Sequence, residues 1–153
     1  MKLPISNVVA LYNILNPAKL TAMSTGDKFK VIRVLRGLRP VAREWDEFVG
    51  DTKKRLAPEN VAELRKLQKD IGALSEAERA RVQEAFGEWQ RHVDECLSSA
   101  VLEEREVAVE PIGESAVSAL LESNPGWDVS EIDIVDEILN APEPVDGENG
   151  AES

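Results

Sequence analysis

A single histidine, His92, and a single cysteine, Cys96, leave this chain of 153 residues short of the groups from which metal sites, disulfides and nucleophilic triads are built. The two are four apart and share one side of a helix, but a zinc site takes three or four ligands and there is no second pair. One cysteine excludes an internal disulfide and fits a reducing cytosol. The same shortage counts against Ser-His and Cys-His catalysis. Thr25-Gly26-Asp27-Lys28 lacks the glycine spacing and preceding strand of a phosphate loop. Asp128, Ser130, Asp133 and Asp136 lack the glycine of a calcium loop. No apolar run approaches the roughly 18 residues that span a bilayer. Met1 to Asn7 reaches polar residues too soon for a signal peptide. Aromatics make up only 5%, so Trp45, Trp89 and Trp127 are expected to weigh heavily in the core.

Apolar residues make up 42%, enough for a globular chain. The length suits a single helical domain over 1–140. Residues 141–153 hold Pro, Glu, Asp, Gly, Asn and Ser around one Val145, an acidic tail expected to be disordered. The formal charge of −11 is unevenly spread. Residues 1–56 hold 11 basic and 5 acidic groups, and residues 103–153 hold 1 and 15. A chain so polarised can attract its own far end or a neighbouring copy, over roughly 8 Å at physiological salt.

The strongest periodic signal is Lys28 to Val49. Val31, Leu35, Leu38, Ala42, Trp45 and Val49 fall at spacings of four, three, four, three and four, one helical seam that Phe29, Val34, Val41 and Phe48 widen. Lys28, Lys30, Arg33, Arg36, Arg39 and Arg43 fill the intervening positions, so one helix carries a core face and a basic face. Ser24 and Asp27 resemble a capping box at its start. Pro40 lies inside it, and because the seam continues in register, one kinked helix is expected, the alternative being a break near Arg39. Gly50-Asp51-Thr52 loosens the pattern.

Ahead of this helix, Ser6 to Leu15 reads as a short one stopped at Asn16-Pro17. After it, Pro58 to Ile71 is a third, ended by Gly72. Ser75-Glu76-Ala77-Glu78 is a capping box opening a long helix to about Ala100. Val82, Phe86, Trp89, Val93, Cys96 and Ala100 repeat the spacing of the first seam. Two such helices are expected to pack antiparallel, with Trp45 meeting Trp89. Val107-Ala108-Val109 is rich in β-branched residues and Pro111 excludes a helix interior. This one short extended strand has three possible partners: Lys2 to Ile5, the helices, or another chain, with Val107 and Val109 as pairing residues. Ser115 to Glu122 and the helix after Asp128, bearing Ile132, Val135, Ile138 and Leu139, complete a mainly α chain with three or four short helices.

Leu11-Tyr12-Asn13-Ile14-Leu15-Asn16, then Val31-Ile32-Arg33-Val34-Leu35-Arg36-Gly37-Leu38, then Val107-Ala108-Val109-Glu110-Pro111-Ile112 and a last helix ending Ile138-Leu139 resemble, in order and kind, a family of small uncharacterised phage and prophage proteins. The likeness covers roughly residues 3–140 as architecture. It implies a phage context, with a role in virion or tail assembly or in takeover of the host, and it transfers no catalytic residue.

The residues therefore point to a non-enzymatic protein without a cofactor, acting through a protein partner or self-association and away from membranes; the resemblance implies the host cytoplasm or the virion as its place. Nucleic acid is the alternative partner, bound through Lys30, Arg33, Arg36 and Arg43. A further alternative is an acidic mimic of DNA that inhibits a host protein.

Overall fold

The computed structural model describes residues 1–140; the expected tail over 141–153 lies outside the described residues. The protein is mainly α, with six α-helices and one two-stranded antiparallel sheet among the described residues. The order is β1 (Lys2–Pro4), α1 (Ile5–Leu15), α2 (Thr25–Leu56), α3 (Val61–Lys69), a 3-10 turn (Ile71–Ala73), α4 (Glu76–Ala100), β2 (Glu104–Glu106), α5 (Glu114–Ser123) and α6 (Val129–Leu139).

Local chemistry accounts for the helix ends. Ser75 Oγ accepts from the Glu78 N–H at 3.2 Å, and the Glu78 carboxylate accepts from the Ser75 N–H at 3.1 Å, so the capping box before α4 is complete. Asp128 and Glu131 form the same pair before α6, at 2.9 and 3.0 Å. At α2 only half a box forms: Ser24 Oγ accepts from the Asp27 N–H, while the Asp27 carboxylate turns to Lys30. α2 runs through Pro40 without a break, and also through Gly50-Asp51-Thr52, where a weakening was expected. Thr52 is buried there at 2% exposure, a packing position that seam spacing did not reveal.

The described chain divides into two compact units, residues 1–43 with 104–140 and residues 44–103. The first is built around one continuous core. Leu3 from β1, Val8 and Leu11 from α1, Val31 and Leu38 from α2, Leu120 from α5 and Leu139 from α6 all join it, most with essentially no exposed surface. Burying a side chain of that size stabilises by roughly 1.5–3 kcal/mol. Trp127 packs against this core. The connector before α2 is tied to the end of α5: Asn124 Oδ1 accepts from the Lys19 N–H at 2.9 Å, its Nδ2 donates to the Lys19 carbonyl at 2.8 Å, and Ser123 Oγ accepts from the Ala22 N–H at 2.8 Å.

The second unit buries far less. Leu64, Val82 and Val93 are its buried apolar side chains, beside Thr52. The expected meeting of Trp45 and Trp89 does not occur. Trp45 pairs with Phe48 at 5.5 Å on its own helix, and Trp89 with Phe86 at 6.0 Å on α4. The Trp89 indole N–H instead donates to the Lys53 carbonyl at 3.0 Å, one of the last carbonyls of α2, which lack helical partners. Phe29 and Phe48, expected to widen the α2 seam, are 54% and 38% exposed. Spacing specifies which side of a helix is apolar; it does not specify how much of that side a neighbour covers.

Candidate interaction surface

The extended segment is the element that shapes the surface of the first unit. Its ladder is two strands, not one, and lies earlier than Val107-Ala108-Val109: Lys2, Leu3 and Pro4 pair with Glu106, Arg105 and Glu104. Val107 extends the pairing by donating its N–H to the Met1 carbonyl at 2.8 Å. The Met1 ammonium donates to the Glu106 carboxylate at 2.7 Å, and this hydrogen bond, reinforced by the charge, holds that carboxyl below the usual range. Of the three partners left open for this stretch, Lys2 to Pro4 takes the strand and the helical core takes Val107, Val109 and Ile112.

Val107 and Val109, the candidate pairing residues, are buried at 3% and 5%. Their side chains belong to the core, and the Val109 N–H turns back to the Val107 carbonyl at 2.9 Å in place of a second strand. The segment then reaches α6, where the Ile112 N–H donates to the Leu139 carbonyl at 2.8 Å. On the way it crosses α2 at Gly37. A Cβ built on Gly37 would lie 2.1 Å from the Ala108 carbonyl oxygen and 3.1 Å from Val109 Cγ2. Only a residue without a side chain lets the two backbones come that close. Sequence reasoning passed over Gly37 for its neighbour Pro40. The signal was there, because a glycine inside a long helical pattern weakens the helix and calls for a packing reason.

This crossing leaves a cleft of about 220 Å³ beside the basic face of α2. Lys30, Arg33 and Val34 form one wall, and Ala108, Glu110, Pro111 and Ile112 the other. Two of the four candidate cations are thus at the cleft. Arg36 and Arg43 do not line it, but all four are exposed. Lys30 pairs with Asp27 at 3.4 Å. Among the described residues, Arg33 and Glu110 form no ion pair, although they line the same cleft. Cations spaced by one turn can donate charge-assisted hydrogen bonds to a carboxylate or phosphate, and Glu110 can accept from a cation or an amide.

His92 is exposed on α4 and Cys96 is half-buried, with Arg55 Nη2 at 3.6 Å from its sulfur. Among the described residues no three histidine, cysteine or carboxylate side chains converge as metal ligands. No helix among them is long and apolar enough to cross a membrane. No protein-family model matches the chain, and neither curated proteins nor solved structures yield a match.

Proposed function

We propose that this is a non-enzymatic, phage-type protein that acts through protein–protein contacts, in virion or tail assembly. The phage context rests on the resemblance of the quoted segments. The contact mode rests on one observation: Glu110 shares a cleft with Lys30 and Arg33, and the Arg33 and Glu110 charges are not satisfied by one another. A cleft offering both signs within one turn suits a protein surface, which carries both, better than a phosphate backbone, which Glu110 repels. Gly37 lets the second wall sit directly on the helix. Size-exclusion chromatography with light scattering, at about 50 mM and about 500 mM salt, tests this. Salt-sensitive self-association, or a complex with a phage or host protein that Arg33→Glu weakens, is expected. A salt-insensitive monomer that binds neither would overturn it.

A second reading is carried by the exposure of Lys30, Arg33, Arg36 and Arg43 on one helix. Such a stripe can neutralise phosphates along one groove. A gel shift with duplex DNA, followed as salt is raised, tests it. No binding at about 50 mM salt ends it.

A further inference from the structure

The second unit holds a groove of about 520 Å³ that has no part in the proposed function. Its floor is Phe86, Gly87, Trp89 and Val93 of α4, and its charged side chains are Lys53 of α2 and Arg65 of α3. No carboxylate lines it, although acidic residues outnumber basic ones by 29 to 18 in the whole chain. The volume is in the range of ligand-binding clefts, roughly 300–1,000 Å³.

The geometry points to a docking groove for an acidic peptide segment of a partner protein, one that inserts an apolar side chain over Gly87 and sets carboxylates against Lys53 and Arg65. Three observations carry this. The floor is pre-set, because the Trp89 indole is held by its hydrogen bond to the Lys53 carbonyl, by Arg65 lying 5.7 Å over its ring and by Phe86 at 6.0 Å. A half-buried Trp89 beneath an exposed Arg65 presents the residue types that anchor protein interfaces. Gly87 keeps the floor open: a Cβ there would meet nothing within 4 Å, so the helix carries a weakening residue with no close packing to require it. The charge is of one sign, which selects an occupant of the other. A nucleic acid would meet the same cations, but a base needs a free indole face to stack on, and Arg65 already occupies one.

The inference shares with the proposed function only the general mode of protein contact. Its test uses residues outside the Lys30–Arg33 cleft, so either can fail alone. The full chain is panned against a display library of random twelve-residue peptides, and enriched peptides are remade and titrated by fluorescence anisotropy. Enrichment of Asp and Glu around an aliphatic or aromatic residue is expected. Binding should fall at least tenfold with Gly87→Leu, which fills the floor, and with Arg65→Glu, while Arg33→Glu leaves it unchanged. Gly87→Ala provides the control for folding, since it strengthens the helix while narrowing the groove, and both Gly87 variants are checked by circular dichroism. Failure to enrich any peptide overturns the inference, as do enriched peptides without acids or binding indifferent to Gly87→Leu. A twelve-nucleotide single-stranded oligonucleotide is titrated alongside, and tighter, Arg65-dependent binding of that probe would reassign the groove to nucleic acid.

Discussion

The two units use the same kind of helix and reach different degrees of burial. In the first, α1, α2, α5 and α6 enclose a core that leaves side chains such as Leu11, Leu38 and Leu139 with no exposed surface. In the second, α3, α4 and the last part of α2 bury Leu64, Val82 and Val93, and leave Trp45, Trp89 and Phe86 half-exposed. The seams of α2 and α4 have identical spacing, so periodicity does not account for the difference. Topology does. The first unit is closed by pairing across distance: β1 meets β2, Asn124 ties down Lys19, and residues 107–112 cross α2 at Gly37. The second is made of consecutive helices, with no strand or crossing segment to seal their edges. A well-enclosed core leaves its function to the rim, whereas a thin one exposes aromatic surface that can itself recognise a partner.

Two glycines, one in each unit, put the comparison to its hardest test. Gly37→Ala should be the most disruptive, because the new Cβ meets backbone, which cannot rotate away, and residues 107–112 must lift from the core. A loss of about 3 kcal/mol or more is expected by chemical denaturation, at or above the top of the usual range for overpacking. Next, Leu120→Ala in the enclosed core should cost about 3 kcal/mol, against about 1.5 kcal/mol for Val93→Ala, two methyl-sized groups at about 0.8 each. Equal losses per carbon removed, three at Leu120 and two at Val93, would mean that the second unit is as tightly packed as the first. Gly87→Ala should then reverse the sign of Gly37→Ala, raising stability by about 0.5–1 kcal/mol in a thermal melt. The smallest effect concerns pH. The Glu78 carboxyl is held below its usual value, first by its hydrogen bond from the Ser75 backbone N–H. A carboxyl with a depressed folded-state pKa stabilises above its unfolded value, and that contribution disappears as pH falls through the folded value. Melting curves of the native chain and of Glu78→Gln, which removes the titrating carboxyl, should therefore converge as pH is lowered from about 7 to about 3.

Features encoded by neighbours in sequence were readable from it. Ser75 with Glu78 and Asp128 with Glu131 specify helix starts because each box is closed by residues three apart. The continuous α2 seam carried the helix through Pro40 for the same reason. What depends on distant residues was not readable. Nothing near Val107 says that Met1 will receive its N–H, and nothing near Trp89 says that its indole will turn to Lys53. Of the candidate site, the exposure of Lys30, Arg33, Arg36 and Arg43 followed from their angle on the helix, but the cleft wall bearing Glu110 required the crossing at Gly37. Phe29 and Phe48 show the limit of angular reasoning, since both sit at the margin of the seam where a neighbour is needed and none covers them fully.

The pairing of Lys2–Pro4 with Glu104–Glu106 has a consequence for how the chain is made. A ribosome releases residues in order, and the whole of 44–103 has emerged before the partner of β1 exists. During that interval Leu3, Val8 and Leu11 have no lid, so the nascent chain must carry an open apolar face until α5 and α6 arrive. Translation that stalls between residues 43 and 104 would strand that face, making the early half of the polypeptide the part most in need of a chaperone.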